Sequence, residues 1–482
     1  MAEGEDDKYD PASGEVKSYG NPAAEENIES DTLKKIDGID LNGRKTLSKK
    51  GKNSNSILRS VSQIFGPGVI TGASDDDPSG IATYSQAGAK FGLGMIWMSL
   101  FQLPMMIVVQ EMCARIGLVT GKGLAGVMKS KYSKKILYPV ASLLIIANTI
   151  NIGADIGALA AAIRLIFPTL PVIVSTLSFT ILILVAEIFI PYRNYVKILK
   201  YLTLSLFAYV LTAIFVGGNW EQIFLASVIP HFEFTPAFAT MFVAVLGTTI
   251  SPYLFFWQAS EEAEEDVVQN RIEDIGKGKP KISIKDIMIM KEDVAVGMFF
   301  SIFITWAIIL TTAGSLHVNG ITNIETADQA AKALEPLVNA FPNAGYIAKI
   351  IFALGIIGTG LLAIPVLAGA SAYAISDSFG WSEGLGKKFK QAKQFYAVII
   401  ASTLIGLLIN FVGISPIQAL IYAAVINGVV AVPMLFIIMR IANDKTILEG
   451  KTNGLFSNVV GWITFAIMGV ATVIMFLTWG IK

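Results

Sequence analysis

The sequence has little of the side-chain chemistry that most metalloenzymes use. Its 482 residues include one cysteine, Cys113, and two histidines, His231 and His317. A single cysteine excludes an internal disulfide and a thiolate metal cluster, and the apolar run around Cys113 is typical of packing. A P-loop, a catalytic triad and a zinc motif are also missing from the sequence. The sequence therefore predicts neither an enzyme nor a protein with a bound cofactor.

Charge is scarce as well. Charged residues make up 15% of the chain and hydrophobic residues 53%, and the mean hydropathy is +0.60. These values are typical of an integral membrane protein and exclude an ordinary soluble domain. The 37 basic and 37 acidic residues balance, so nothing indicates a nucleic-acid partner. The lipid bilayer is the expected surrounding, and we expect a monomer.

Long apolar runs are abundant instead. A helix that crosses the roughly 30 Å of hydrocarbon needs about 20 apolar residues. Eleven runs meet this requirement and predict an all-α protein with eleven transmembrane helices, near residues 58–89, 92–118, 136–166, 170–191, 198–218, 234–259, 292–314, 346–376, 394–414, 416–440 and 456–479.

The distribution of Lys and Arg predicts the orientation of these helices. With the N-terminus in the cytoplasm, the predicted inner loops hold 22 basic residues and the outer side holds five. Such an excess is typical of cytoplasmic loops. The sequence therefore predicts a multi-pass protein of the cell membrane with a cytoplasmic N-terminus and an external C-terminus.

The first 56 residues form a polar tail before the transmembrane domain of residues 57–482. Residues 1–31 carry ten acids and two bases, and residues 32–59 carry two acids and eight bases. This composition predicts a disordered segment. Its basic half fits a cytoplasmic, anionic lipid surface, but we favour a solvated topology signal with no further role. We find no signal peptide ahead of the first apolar run.

The first apolar run is interrupted by three acids and a proline: Asp75, Asp76, Asp77 and Pro78. Ionisable groups at membrane depth are costly and are retained mainly along ion pathways. Pro78 lacks a backbone N–H, so it is expected to break the helix and to free carbonyl oxygens beside the carboxylates. We predict a cation site here, with Asp77 as the first candidate ligand, Asp76 as the second and Asp75 as the third.

A second interruption, Gly247 to Tyr253 with Pro252, lies in the sixth run. Paired breaks in corresponding helices indicate a transporter built from inverted repeats, with its site between them. The repeats are predicted at about 58–218 and 234–440, each with five helices, and the helix at 456–479 is additional.

These motifs resemble the Nramp family of divalent-metal transporters, which has a LeuT-type fold with helices 1 and 6 broken at the midplane. The likeness covers nearly all of the membrane part. It rests on these segments: Gly66-Pro67-Gly68, Asp77-Pro78, Gln86-Ala87-Gly88-Ala89, Gln110-Glu111, Ala114-Arg115-Ile116-Gly117, Thr120-Gly121-Lys122-Gly123-Leu124, Ala154-Asp155 and Pro252.

The chain departs from the family pattern at the residues that the resemblance assigns to the metal. The family's Asp-Pro-Gly-Asn is here Asp77-Pro78-Ser79-Gly80, so a glycine replaces the amide ligand. The methionine ligand is replaced by Ser251, close to Thr248, and the following histidine by Tyr253. A second family histidine corresponds to Gln258, and the family's Asp-x-x-Glu pair survives only as Asp155, with Ala158 at the acid position.

These departures from the family pattern predict which ion is transported. Thioether sulfur favours transition metals, and its loss leaves oxygen ligands only. Mg²⁺ retains several waters and binds through one or two carboxylates. We therefore expect a roomy site that suits hydrated Mg²⁺, formed by Asp77, Asp76, Thr248, Ser251 and Gly80. Within the family, the chain resembles a divergent prokaryotic member, similar to the Nramp-related magnesium transporters. The predicted function is import of Mg²⁺, and also of Mn²⁺.

Proton coupling is expected to be weak. Both histidines fall in predicted outer loops, and a phenol such as Tyr253 has a reference pKa of about 10. Asp155 and Glu111 remain able to carry protons, so a proton-coupled Mn²⁺ or Fe²⁺ importer stays the alternative. It would need Met241, Met288 or Met290 near the site. A metal sensor without transport is a third hypothesis, and three acids at the break disfavour an organic-solute carrier.

Four further polar or charged residues in the predicted spans need an interpretation. Glu111 and Arg115, four residues apart, predict an ion pair in preference to a gate contact. Glu187 is a lone acid in the fourth span, for which we favour a structural role over one in transport. Asn427 in the tenth span is a candidate liner of the central cavity or gate.

Overall fold

The computed structural model describes residues 66–190 and 203–479. Within these ranges the regular structure is helical, apart from one isolated β-bridge between Asp274 and Lys277. The predicted polar tail of residues 1–56 lies outside the described residues. The all-α prediction is confirmed for the part of the chain that is described.

The seventeen α-helices of the described part are numbered here in chain order. Short 3₁₀ segments precede α3 and α7, and a π-helical turn, Ala313–His317, extends α11. The α-helices are α1 Pro67–Asp75, α2 Pro78–Phe91, α3 Trp97–Thr120, α4 Leu124–Lys131, α5 Lys134–Ile166, α6 Val172–Phe189, α7 Phe207–Val216, α8 Trp220–Val228, α9 Pro236–Thr249, α10 Pro252–Val268, α11 Ile284–Thr312, α12 Ala327–Ala331, α13 Glu335–Val338, α14 Ala344–Phe379, α15 Lys393–Ile409, α16 Pro416–Ala442 and α17 Leu455–Trp479.

The helix break predicted around Pro78 is confirmed. Helix α1 ends at Asp75, and α2 begins at Pro78. Pro78 occupies the first helical position, where its missing N–H removes no helical bond from α2. Asp77 caps the new helix, because its carboxylate accepts a hydrogen bond from the Gly80 N–H at 2.6 Å.

The second predicted break is confirmed as well. Helix α9 ends at Thr249, and α10 begins at Pro252 with Ser251 as its N-cap residue. Unlike Asp77, Ser251 makes no side-chain capping bond to α10. The two interruptions therefore have the same backbone plan, a proline at the first position of the second half, with different side chains at the cap.

Eight helical segments of the described part are long and apolar enough to cross a membrane. The first predicted span is not among these eight, because the break divides it into helices of nine and fourteen residues, each too short to cross a membrane alone. The fifth and ninth predicted spans correspond to shorter apolar helices, Leu204–Val216 and Lys393–Ile409. The count of eleven stays a prediction.

Glycines allow the helices around the breaks to approach closely. A Cβ on Gly72 of α1 would lie 2.8 Å from the Cα of Gly297 on α11, and one on Gly247 of α9 would meet Gly428 of α16. Small residues have this role in membrane helices, where packing rather than hydrophobic burial draws helices together. Large apolar side chains of α17, such as Val470 and Leu477, are exposed and suit contact with lipid.

Candidate metal-ion site

The three adjacent acids at the first break are buried, but they have different surroundings. Asp75 is fully buried, and its Oδ2 accepts a hydrogen bond from the Ser301 hydroxyl of α11 at 2.6 Å. Asp76 is 3% exposed, and its Oδ1 has no hydrogen-bond partner among the described residues. Asp75 is therefore anchored to α11 through one oxygen, and Asp75 Oδ1 and Asp76 Oδ1 both have no hydrogen-bond partner among the described residues.

Asp77 lies at the break itself and is held by two donors. Its Oδ1 accepts from the Gly80 N–H at 2.6 Å, and its Oδ2 accepts from the Asn151 side-chain amide of α5 at 2.9 Å. Each carboxylate oxygen keeps lone pairs beyond the one that it uses. The carboxylate is thus oriented by the protein and still able to bind a cation.

Helix α5 presents a second carboxylate close to Asp77. Asp155 follows Asn151 by four residues, so the two side chains lie on the same face of α5. Asp155 is fully buried, neither of its oxygens has a hydrogen-bond partner among the described residues, and it lies close enough to Asp77 to experience that residue's charge. Ala158, at the position where the family has an acid, lines an apolar cavity with Ile81.

Proline at the second break leaves one carbonyl without its helical donor, and a serine compensates. The Thr248 carbonyl would bond the N–H four residues on, but that residue is Pro252. The Ser251 hydroxyl donates to this carbonyl at 2.6 Å and also lies 2.7 Å from the Gly247 carbonyl. Because its hydrogen is used in this way, the Ser251 oxygen has lone pairs available for a cation.

Two tyrosines join the breaks to each other. The Tyr253 hydroxyl of α10 donates to the Ser74 carbonyl of α1 at 3.1 Å. That carbonyl would otherwise have no donor, because the residue four positions on is Pro78. The Tyr84 hydroxyl of α2 lies 2.9 Å from the Thr249 hydroxyl of α9. The structure therefore brings the two breaks into direct contact, as the inverted-repeat prediction requires.

The remaining predicted site residues have less direct relations to Asp77. Gly80 is crowded, since a Cβ there would lie 3.1 Å from the Asp75 carbonyl oxygen and 3.3 Å from the Tyr84 ring. Thr248 is buried in α9. Asn427 is 1% exposed on α16, which packs against α2, and its Oδ1 has no partner among the described residues.

Glu111 lies in an ion-pair network rather than among the site residues. Its carboxylate contacts Arg115 at 3.2 Å and Lys291 at 3.4 Å. Arg115 also donates to the Asn453 side chain. These contacts favour the structural interpretation of the Glu111–Arg115 pair.

One expectation about histidine needs correction. His317 is not in a loop but is the last residue of the π-helical turn that extends α11, with its Nδ1 2.8 Å from the Ala89 carbonyl oxygen. The π-helical turn carries the helix past the predicted end of the span. His317 is nevertheless exposed, and so is His231, so neither lies beside Asp77.

Sequence reasoning missed Asn151, and it gave Gln258 only a place in the family pattern without predicting its contacts. Asn151 binds Asp77, and Gln258 bridges the Thr71 hydroxyl of α1 at 2.5 Å and Glu262 of α10 at 3.0 Å. The four-residue spacing of Asn151 and Asp155 was a usable signal, because it places an amide and an acid on one face of an apolar helix. No comparable signal in the sequence indicates the contacts of Gln258 with Thr71 and Glu262.

The donor set of the site consists of oxygen. Carboxylates, hydroxyls and a backbone carbonyl surround the two breaks, and no three His, Cys, Asp or Glu side chains in residues 66–190 and 203–479 converge as a metal cluster. Of the methionines named above, Met288 is 57% exposed on α11, whereas Met241 of α9 and Met290 of α11 are buried. The arrangement is chemically suited to a hard cation held by few carboxylates.

The family model described as natural resistance-associated macrophage protein-like, or Nramp, matches residues 68–478. The chain belongs to the Nramp family. Together with its apolar helices, this membership identifies a multi-pass membrane protein.

Individual relatives agree with this family. Over 438 residues the Nramp chain is 22% identical to the divalent metal cation transporter MntH of Ralstonia nicotianae, which covers 88% of this chain and 92% of that relative. It is 28% identical over 325 residues to MntH of Klebsiella pneumoniae, covering 66% and 72% of the two chains.

Solved structures show the fold. A manganese transporter of Eremococcus coleocola, in complex with an aromatic bis-isothiourea substituted compound, superimposes with a TM-score of 0.66 at 14% identity, over 90% of each chain. Mhp1, a nucleobase-cation-symport-1 family transporter in a closed conformation, gives 0.54 at 15% identity over 86% of this chain and 87% of its own. At such identities the likeness concerns the fold alone.

Proposed function

We propose that this Nramp protein is a secondary transporter that imports divalent cations, Mg²⁺ first and Mn²⁺ as well. The ion passes as a largely hydrated species and without strict proton coupling. The observation that carries this proposal is the oxygen-only donor set at the two contacting breaks, with Ser251 in place of a sulfur ligand and a glycine in place of an amide at position 80.

Hard oxygen donors support Mg²⁺ as the substrate. Thioether sulfur stabilises transition metals more than it stabilises Mg²⁺, so its replacement by the Ser251 hydroxyl removes the basis for rejecting Mg²⁺. Mg²⁺ loses its waters reluctantly and is held through one or two carboxylates and retained waters. Asp77 and Asp76 supply carboxylate oxygens, and Thr248 and Ser251 supply hydroxyls that bind either the ion or its waters.

The contacts of the substituted residues support uncoupled transport. Tyr253 uses its hydroxyl to satisfy the Ser74 carbonyl, and a phenol has a reference pKa of about 10, so this side chain is a poor proton carrier near neutral pH. Ala158 faces an apolar cavity where the family has an acid. The driving force is then the membrane potential, which supplies about 4.6 kcal/mol per 100 mV to a divalent ion, twice the single-charge value.

The proposal includes a topology. We place the protein in the cell membrane as a monomer with eleven spans, the N-terminus in the cytoplasm and the C-terminus outside. The eleven proposed spans are the eight long helical segments, the broken helix α1–α2 and the two shorter apolar helices. The 22 basic residues of the proposed inner loops, against five outside, support this orientation.

The alternative is a proton-coupled Mn²⁺ or Fe²⁺ importer, and one observation favours it. Asp155 is a fully buried carboxylate without a hydrogen-bond partner in the described residues, so it is available to carry a proton beside Asp77. The curated relatives are named as divalent metal cation transporters, and the solved structure as a manganese transporter. No observation favours the metal-sensor hypothesis.

Flux into proteoliposomes tests the site and the ion together. Purified protein is reconstituted, and entry of Mg²⁺ and of Mn²⁺ is recorded with a dye enclosed in the liposomes. The wild type should admit both ions, Asp77→Ala should admit neither, and Glu187→Ala on α6 should retain most of the flux. Equal and mild losses in the two variants would contradict the site, and a wild type that admits Mn²⁺ but not Mg²⁺ would contradict the ion.

A further inference from the structure

Asn151 contacts Asp77, the principal ligand candidate, from another helix. It is fully buried on α5, and its Nδ2 donates to Asp77 Oδ2 at 2.9 Å. Its Oδ1 has no hydrogen-bond partner among the described residues. Buried amide oxygens are normally satisfied, so an unsatisfied one beside a carboxylate indicates a ligand that binds there.

The unsatisfied oxygen lies within reach of an ion on Asp77. The two heavy atoms of a side-chain amide are separated by roughly 2.3 Å, so Asn151 Oδ1 lies within about 5 Å of Asp77 Oδ2. A Mg²⁺ ion that retains waters spans such a distance, either directly or through one of those waters.

The neighbours on α5 extend this pattern. Asn148, Asn151 and Asp155 recur at spacings of three and four residues, so they form one stripe along the helix. All three are fully buried and carry side-chain oxygens without hydrogen-bond partners in the described residues. The Asn148 amide nitrogen bonds to α14, at the Leu367 carbonyl and the Ser371 hydroxyl, so Asn151 alone of the two amides donates to Asp77.

An amide suits this position better than a third acid would. Asp77 and Asp155 already place two carboxylates on this side of the site, and a further negative charge would add repulsion in the empty state. The amide supplies an oxygen without charge. Rotation of the amide plane by half a turn exchanges Oδ1 and Nδ2, so the donor end faces Asp77 when the site is empty and the oxygen end faces a bound cation.

We infer that Asn151 determines ion affinity and selectivity: it orients Asp77 in the empty site and supplies the amide oxygen that the first break lacks at Gly80 when the ion is bound. The inference rests on the proposed function, because it assumes that Asp77 binds the transported cation. The ligand it predicts is a divalent cation with strong affinity for oxygen, taken with part of its hydration shell.

The test compares three variants in the proteoliposome assay, with Mg²⁺ and Mn²⁺ each measured over a range of concentrations. Asn151→Ala removes both amide atoms, and Asn410→Ala is the matched control. Asn151→Asp keeps the size and one oxygen but replaces the NH₂ donor with a second oxygen and adds a negative charge. Asn410 donates to the Gly153 carbonyl at 2.9 Å and so contacts α5 without touching Asp77.

Asn151→Ala should raise the KM for Mg²⁺ about tenfold with little change in maximal rate, as expected for one lost polar ligand. Asn151→Asp should lower both KM and maximal rate, since the added charge holds the ion. Asn410→Ala should leave the KM and the ratio of Mg²⁺ to Mn²⁺ transport unchanged.

Values of KM and selectivity within about twofold of the wild type in both Asn151 variants would overturn the inference. Equal changes in Asn151→Ala and Asn410→Ala would also overturn it, because they would indicate a packing effect on α5. A wild type that carries only Mn²⁺ would defeat the proposed Mg²⁺ function, but the KM for Mn²⁺ would still decide the role of Asn151.

Discussion

At the scale of single residues, each helix break leaves a backbone carbonyl without its helical donor, and a side-chain hydroxyl donates to that carbonyl instead. Pro78 and Pro252 deprive the carbonyls of Ser74 and Thr248 of their helical donors. Tyr253 donates to the first of these at 3.1 Å, and Ser251 donates to the second at 2.6 Å. The two residues that stand in place of the family's histidine and methionine are therefore also the ones that satisfy the freed backbone.

Tyr253→Phe tests whether this hydroxyl has a structural or a proton-carrying role. Loss of the donor leaves the buried Ser74 carbonyl unsatisfied, which should cost about 1–3 kcal/mol and lower the melting temperature in detergent. The dependence of Mg²⁺ flux on pH should not change. A variant with unaltered stability but an altered pH dependence of flux would show that the phenol carries protons after all.

Ser251→Met tests the assignment of the ion. A thioether should stabilise Mn²⁺ relative to Mg²⁺, so the ratio of Mn²⁺ to Mg²⁺ transport should rise by about tenfold, the equivalent of one modest ligand preference. Ser251→Ala is the control, since it removes the oxygen without adding sulfur and should weaken transport of both ions. If the ratio is the same in both variants, position 251 does not contact the ion.

The sequence allowed the types of most site residues to be predicted, but not their partners. Asp77, Ser251 and Tyr253 follow from the two proline breaks and the family resemblance. Asn151 was missed because it reaches Asp77 from a helix 74 residues away, and only the packing of α5 against the break creates that contact. The free carboxylate of Asp155 was likewise beyond sequence reasoning.

At the scale of helices, the breaks were predictable and the lengths were not. Proline and small residues determine where α1 and α9 end, which a sequence shows directly. The hydropathy of a run does not show where a helix ends within it, so the predicted span at 92–118 is in fact a 3₁₀ turn at Gly92–Met95 followed by α3. The π-helical turn that carries His317 has no sequence signal of its own.

Gly72→Ala tests the close crossing of α1 and α11. The added Cβ would lie 2.8 Å from the Cα of Gly297 and nearer still to its carbonyl group, so the helices must separate. Overpacking of this kind costs about 1–3 kcal/mol, and the melting temperature in detergent should fall. Gly454→Ala, where a Cβ would meet nothing within 4 Å, is the matched control and should melt like the wild type. Equal melting of both variants would refute the crossing.

The segment between α14 and α15 holds a buried acid whose ionisation should weaken the fold. Glu383 is 5% exposed and hydrogen-bonded to Asp377, and burial, with the Asp377 charge, raises the pKa of Glu383 well above its usual range. The folded state therefore binds a proton that the unfolded state has lost, so this contribution to stability declines as the pH rises above about 4.3.

Glu383→Gln should remove that decline, because glutamine imitates the protonated acid. Thermal unfolding of the two proteins is compared at several pH values, and the advantage of the variant should grow as the pH rises from about 5 to about 8. A constant difference across this range would contradict a raised pKa for Glu383.

At the scale of the whole molecule, a multi-pass membrane protein of the Nramp family contains two helix breaks that contact each other. We propose that these breaks form one oxygen-lined cation site and that Mg²⁺ crosses there under the membrane potential alone. The family membership and the fold agree with transport of a divalent cation, whether Mg²⁺ or Mn²⁺. The preference for Mg²⁺ is argued from the residues that depart from the family pattern, chiefly Gly80 and Ser251.

Simultaneous recording of Mg²⁺ entry and internal pH, in proteoliposomes held at a series of membrane potentials, tests this claim most directly. We expect Mg²⁺ entry to increase as the interior becomes more negative, and we expect no acidification of the interior, with or without an imposed pH gradient. Entry of Mn²⁺ accompanied by acidification, with no response to Mg²⁺, would rule out uncoupled Mg²⁺ transport and establish the proton-coupled alternative.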